Sequence, residues 1–202
     1  NVLVCGCNGQ LGSEIRFLSK KDIENRYFFT DTNKLNITNH SKVESFICEN
    51  KITHIINCAA YTAVDKAESE PIIADKINHL AVANLANLAK IYSIVFIHIS
   101  TDYVFDGESK KPYSELNKVN PKSIYGYSKR KGEESILKIN PANTIIIRTS
   151  WLYSRFGDNF VKSMLNISKK NSSISVVSDQ FGSPTNAADL AQIILNILIK
   201  IN

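Results

Sequence analysis

Tyr125 and Lys129 stand one helical turn apart in the stretch Pro121-Lys122-Ser123-Ile124-Tyr125-Gly126-Tyr127-Ser128-Lys129. The spacing sets a phenolic proton donor beside an ammonium group that can lower its pKa. That pairing suits reduction of a carbonyl by a nicotinamide cofactor, because the alkoxide produced by hydride addition needs a proton. The same spacing occurs again as Tyr127/Lys131. Two residues along a helix are a rotation of about 200°, so the two pairs face opposite ways. Continuing from Tyr125 gives Lys129, Gly132, Ile136 and Ile139, while continuing from Tyr127 gives Lys131, Glu134 and Lys138. The first set reads as an inward face and the second as a solvated one. The chemistry is therefore assigned to Tyr125 and Lys129. Because Tyr-x-x-x-Lys is a short pattern that an ordinary amphipathic surface helix also produces, its weight depends on what else the chain carries.

The first residues carry the complement. Val2-Leu3-Val4-Cys5 reads as a strand and runs into Gly6-Cys7-Asn8-Gly9-Gln10-Leu11-Gly12, a glycine-spaced turn opening a helix. Gly6 permits the tight turn, Gly9 lets backbone approach a pyrophosphate, and Gly12 allows helix to pack on sheet, while the helix N-terminus offers free N–H groups to phosphate charge. Asp31 follows about 20 residues later, just past the second strand, where an acid accepts hydrogen bonds from an adenosine ribose. An acid there favours NADH, yet Lys34 and Arg16 suit a 2′-phosphate, so NADPH and NADH both stay open.

Elements must hold these groups together. Short apolar strands are expected at residues 1–5, 27–30, 54–57, 94–99, 144–148 and 174–177. Helical patterns fall at 10–20, 40–49, 72–91, 124–137, 159–169 and 188–200. Alternation of this kind predicts an α/β fold, a Rossmann-like doubly wound parallel sheet with helices on both faces. Ligands of such sheets bind at the carboxyl ends of the strands. Those ends carry Asn57-Cys58-Ala59-Ala60-Tyr61-Thr62, Ser100-Thr101-Asp102-Tyr103 and Arg148-Thr149-Ser150-Trp151. The small Ala59 and Ala60 let a cofactor lie against backbone, Thr101 can bond a substrate carbonyl, and Tyr103 and Trp151 can wall in an organic ring. The irregular stretch 102–123 is long enough to be functional. The chain starts inside its first strand and stops after the apolar 188–200 pattern, so we read residues 1–202 as one dinucleotide-binding domain and a fragment, with a carboxy-terminal substrate lobe largely missing.

Composition narrows the class. The chain has 202 residues, 44% hydrophobic and 21% charged, with a net charge of +5. This suits one core and mildly favours anionic ligands such as nucleotides. No apolar run approaches the roughly 20 residues of a membrane span. The richest basic run is Lys129-Arg130-Lys131, which reads as a solvated helix face and gives no nucleic-acid stripe. Cys5, Cys7, Cys48 and Cys58 lack zinc-site spacing. They predict no metal and a reducing, cytoplasmic compartment.

Six stretches together carry a family resemblance. Gly6 to Gly12, Asn57 to Glu68, Ser100-Thr101-Asp102-Tyr103-Val104-Phe105-Asp106-Gly107, Tyr125 to Lys129, Arg148 to Tyr153, and Asp179-Gln180-Phe181-Gly182-Ser183-Pro184-Thr185 resemble the dTDP-4-dehydrorhamnose reductases. These are extended short-chain dehydrogenase/reductases acting on sugar nucleotides. The resemblance implies NAD(P)H-dependent reduction at C4 of dTDP-4-dehydro-β-L-rhamnose, with Tyr125 as proton donor, Thr101 on the same oxygen, and Lys129 holding the nicotinamide ribose. It also implies a cofactor groove of Gly6, Asn8, Gly9, Gln10, Leu11, Gly12, Asp31, Ala59, Ala60, Tyr61 and Thr62. Asn36 stands where an aspartate is common near the adenine. Asp102, Tyr103 and Trp151 would meet substrate, with contacting segments near 151–160 and 179–186. Asn78 falls where related reductases carry an asparagine near the active site, though a lone polar residue on a helix is equally well simply exposed. A homodimer is kept as a candidate assembly. Two other readings stay open: a non-catalytic dinucleotide-binding regulatory subunit, and a reductase or epimerase for another 4-keto sugar nucleotide. Tyr125→Phe is expected to remove most turnover while sparing cofactor binding, and Tyr127→Phe to change little; steady-state kinetics with the larger loss in Tyr127→Phe would reverse the assignment.

Overall fold

The computed structural model describes residues 1–201 of the chain. In order, the elements are β1 (Val2–Cys5), α1 (Gln10–Leu18), β2 (Tyr27–Thr30), α2 (His40–Glu49), β3 (His54–Asn57), α3 (Val64–Ala67), α4 (Pro71–Asp75), α5 (Ala81–Ile91), β4 (Val95–Thr101), α6 (Ile124–Ile139), β5 (Thr144–Thr149), β6 (Leu152–Tyr153), α7 (Phe160–Ser168), β7 (Thr185–Asn186) and α8 (Ala187–Ile201). The main sheet is parallel throughout, in the order β2-β1-β3-β4-β5, and β6 and β7 form a separate parallel pair. Strand order reverses at β1, which lies between β2 and β3. A reversal of this kind opens a crevice at the carboxyl ends of the strands.

Why these strands read as continuous apolar runs follows from the two layers covering them. Leu3, Cys5, Ile55 and Phe96 point to one face and are buried with Val43 and Ile47 of α2, Val82, Leu85 and Leu88 of α5 and Ile136 of α6. Val2, Val4, Ile56 and Ile97 point to the other and meet Leu11 and Ile15 of α1 and Leu190, Ile194 and Leu198 of α8. Within the main sheet only β5 is half-buried along its whole length, as an edge strand is. The doubly wound fold expected from the alternation of strands and helices is thus the observed one.

Two local expectations are corrected. The 72–91 pattern is not one continuous α-helix: a π-helical turn at Lys76–Leu80 separates α4 from α5. That wide turn carries Asn78, which is fully buried rather than exposed, and its amide bonds outside its own helix. Residues 174–177 form no strand. Ile174, Val176 and Val177 are exposed, and β5 pairs with β4 alone. An apolar β-branched run becomes a strand only against a neighbouring edge and a covered face, and this one has neither. Phe96 sits at the centre of the α5 layer with no exposed surface. Phe96→Ala is expected to cost about 3–5 kcal/mol, read as a lower urea midpoint at unchanged m-value.

Candidate active site

The turn after β1 is dictated by a close approach of backbone. Gly6 has φ +73°, and a Cβ there would lie 2.6 Å from the Ala59 amide nitrogen, while one on Gly12 would lie 2.5 Å from the Gly6 carbonyl oxygen. Larger residues would push the β3 loop and α1 away from the turn. Gly9, in contrast, has only the Gly6 carbonyl oxygen near its face, at 3.4 Å, and it precedes α1 without any side-chain cap. The first-turn N–H groups of α1 are therefore free for an anion. Leu11 is buried in the core and has only backbone to offer. Gln10 likewise turns its side chain away: its amide donates to the Leu152 carbonyl at 3.2 Å and accepts from Asn159 Nδ2 at 3.1 Å.

At the end of β2, Asp31 accepts from Asn8 Nδ2 at 2.6 Å and from the backbone N–H groups of Asn33 and Lys34 at 3.1 and 3.0 Å. The Lys34 amide is the main reason its carboxyl is held below the usual range. Arg16 lies beside the same corner, donating to Cys7 Sγ and to Asn8 Oδ1, with its guanidinium over Phe29. One corner thus holds both the acid that suits a ribose hydroxyl and a cation that suits a phosphate. Asn36 uses its carboxamide oxygen to accept from Thr38 N and Oγ1, at 3.0 and 2.9 Å. It lines an open groove with Lys34, Lys42 and Lys76.

The β3 loop is clamped from behind by Asn78. Its Oδ1 accepts from Tyr61 N at 2.9 Å, and its Nδ2 donates to Tyr61 O and to Ser128 Oγ, both at 3.0 Å. Asn57 Oδ1 in turn accepts from Ala59 N at 3.2 Å. Ala60 is half-buried and Thr62 exposed on the same loop. Tyr61 sends its hydroxyl to Glu70 Oε2 at 2.7 Å, so its ring braces the loop.

On α6, Tyr125 is buried and Tyr127 is 52% exposed. Lys129 is buried and donates from Nζ to the Ile99 carbonyl of β4 at 2.6 Å, whereas Lys131 reaches Asp75 on the surface. Tyr125 meets Tyr103 edge to face, with ring centroids 5.5 Å apart. The loop 101–104 can sit this close because residue 126 is glycine: a Cβ there would lie 2.2 Å from the Tyr103 carbonyl oxygen. Thr101 is buried at the end of β4 and accepts from Tyr103 N at 3.2 Å. Its hydroxyl donates to Asp102 Oδ1 at 3.2 Å.

The direction of the phenol's pKa differs from the expected one. Burial pushes Tyr125 above its ordinary value, hydrogen bonding with Thr101 opposes the rise, and Asp102 and Tyr103 add to it. Lys129 spends its charge on Ile99 rather than on the phenol. The result is still an acid, since a raised pKa keeps the proton on Tyr125 at neutral pH. Burial also pushes Lys129 down, to about 8, against the opposing pull of Glu133.

Glu133 is the residue the sequence reading passed over. It lies one turn beyond Lys129, is 1% exposed, and receives both arms of Arg148, at 2.9 and 2.7 Å. Burial pushes its carboxyl up, and hydrogen bonds from Arg148 outweigh that and keep it below the usual range. The signal was present as an acid four residues after Lys129 and an Arg at the end of β5. Only contact in space pairs them. Trp151, two residues past the end of β5, has φ +46° and is 45% exposed.

The family described as RmlD substrate binding domain matches residues 1–202, and the chain is 42% identical to a dTDP-4-dehydrorhamnose reductase of Aggregatibacter actinomycetemcomitans, over 99% of this chain and 68% of that protein. The chain belongs to the dTDP-4-dehydrorhamnose reductase family. A reductase of the same name from Sinorhizobium fredii is also 42% identical, with 64% of its length covered. The chain thus spans about two thirds of the length of these curated relatives. Among solved reductases, that of Clostridium acetobutylicum superposes with a TM-score of 0.94 at 44% identity, covering 98% of this chain and 70% of that one. That of Bacillus anthracis, in complex with NADP, gives 0.93 at 40% identity, covering 97% and 69%. The Thermus thermophilus UDP-glucose 4-epimerase shares the fold at 19% identity, with a TM-score of 0.82.

For a reductase of this family, the low pKa of Lys129 has two consequences of opposite sign. Below pH about 8 the lysine is charged in folded and unfolded chains alike; between about 8 and its ordinary 10.5 the folded chain has released a proton that the unfolded chain still holds. Stability from this group therefore rises with pH across that window, while the positive charge at Lys129 disappears. The expected kcat/KM profile falls above pH about 8, and Lys129→Arg, which stays charged, is expected to flatten that limb at a lower rate. A descending limb unchanged in Lys129→Arg would assign it to another group.

Proposed function

We propose that the protein reduces the C4 keto group of dTDP-4-dehydro-β-L-rhamnose to a hydroxyl, using NADPH or NADH. The observation that carries this reading is the buried Tyr125 phenol, whose pKa the buried Thr101 hydroxyl helps to hold down, one turn before Lys129 and at the carboxyl ends of β4 and β5. The residues fit a dinucleotide. Gly6 brings the turn against Ala59, Gly9 leaves an open face, and the start of α1 has uncapped amides. The reduced nicotinamide, when bound, supplies the hydride.

The chain's own residues do the rest. Thr101 and Tyr125 hold the C4 oxygen between two hydroxyls. As negative charge develops there, the Tyr125 hydroxyl gives its proton to that oxygen. Lys129 holds ribose hydroxyls and, as a cation near the phenolate that remains, makes its formation easier. Asp31 and Asn8 address the adenosine ribose, and Arg16 supports a 2′-phosphate beside them. Names among the relatives point to the same substrate class: dTDP-4-dehydrorhamnose reductase recurs in Salmonella typhimurium at 37% identity. A further relative at 38% identity is a spore coat polysaccharide biosynthesis protein of Bacillus subtilis. The four free thiols suit a reducing, cytoplasmic setting.

Loss of absorbance from NADPH, and separately NADH, with dTDP-4-dehydrorhamnose and the full-length protein tests the proposal. Turnover that Tyr125→Phe lowers by about 10²-fold or more is the expected result, since general acids contribute on that scale. Tight dinucleotide binding without turnover would favour the regulatory reading instead.

A further inference from the structure

Trp151 is held in an unusual way. A bulky residue at φ +46° persists only where its surroundings hold it, and here the holding comes from the segment 179–185. The Trp151 carbonyl accepts from Thr185 N at 3.3 Å, Ser150 Oγ donates to the Ser183 carbonyl at 2.6 Å, and Leu152 pairs with Thr185 between β6 and β7. Gly182 lies directly on the indole. A Cβ at that position would stand 2.5 Å from Trp151 Cε2 and 2.8 Å from Cζ2 and Nε1, which no ring tolerates without moving. The rest of the indole surface stays open, with Trp151 45% exposed. Thr149 pairs with Thr101 across β5 and β4, so the ring leaves the sheet on the same edge as the hydroxyl assigned to the substrate oxygen.

We propose that Gly182 is a positioning residue for sugar recognition. Its missing side chain lets segment 179–185 lie against one part of the Trp151 indole and so sets the remaining ring surface as the wall that the pyranose of the sugar nucleotide stacks on. This rests on the reading of the chain as a sugar-nucleotide reductase. A flat aromatic surface suits the apolar face of a deoxypyranose, and a ring whose tilt is fixed beforehand presents it without an ordering cost at binding.

Trp151 is the chain's one tryptophan, so its fluorescence reports the contact without any ligand. In Gly182→Ala the emission maximum and acrylamide quenching are expected to change while Tm and NADPH affinity do not. The KM for the sugar nucleotide is expected to rise about three- to tenfold, the scale of one aromatic contact, with a smaller change in kcat. Adding Gly182→Ala to Trp151→Ala is expected to raise KM no further, because the ring it displaces is already gone. Unchanged emission and quenching in Gly182→Ala, or KM effects that multiply in the double variant, would overturn the proposal. A wild-type protein that shows no turnover, with emission altered by Gly182→Ala, would retire the reductase reading and leave the packing of Gly182 on Trp151 supported.

Discussion

Lys129 is an ammonium group sealed beneath the carboxyl edge of the sheet, and a buried cation has to be answered by groups that cannot move far. The Ile99 carbonyl of β4 takes one hydrogen bond at 2.6 Å. Glu133, one turn on along α6, supplies the nearby negative charge that keeps the lysine from falling further. Glu133 is itself buried and is held ionised by both arms of Arg148. The demand of a single charge thus ties α6 to β4 and β5 beside Tyr125 and Thr101.

A second constraint is steric and complements the first. The loop 101–104 rests on α6 only because residue 126 is glycine, and the turn after β1 reaches the β3 loop only because residue 6 is glycine. Close backbone approaches of this kind leave the neighbouring side chains few alternative positions. The polar clamps act in the same sense: Asn78 in its π-helical turn holds Tyr61 and Ser128 together. The α1 side chains Gln10 and Glu14 fasten the segment after β5, Glu14 by accepting from Ser154 Oγ at 2.7 Å and Arg155 Nη2 at 3.0 Å. The helix that offers its amides to an anion therefore also anchors the strand end that carries Trp151.

The electrostatics of the tyrosine follow from this enclosure. In an open cleft, a lysine one turn away would be expected to dominate the phenol. Enclosed, the phenol is governed by lost hydration, with Thr101 opposing and Asp102 adding to the rise, and the lysine is occupied by a backbone carbonyl. A proton donor needs to hold its proton until the acceptor becomes basic, and burial supplies that property.

Periodicity alone carried a great deal. Alternating strands and helices gave the doubly wound sheet, since both faces of every inner strand had to be apolar. The helical rotation between Tyr125 and Tyr127 separated an inner from an outer pair, because a helix has one buried face. The glycine turn was legible as well, because spacing of that kind has few other uses after a strand. What no local pattern revealed were the partners. Nothing in the neighbourhood of Glu133 names Arg148, fifteen residues away; nothing in 72–91 announces a π turn; nothing around 174–177 tells that a strand-like run lacks an edge to join; and nothing around Gly182 points to Trp151. Each of these depends on which surfaces meet after the chain has folded. Local spacing determines which face of an element a residue occupies; the tertiary structure alone decided what stands opposite it, because burial and pairing are properties of contacts between elements rather than of any one element.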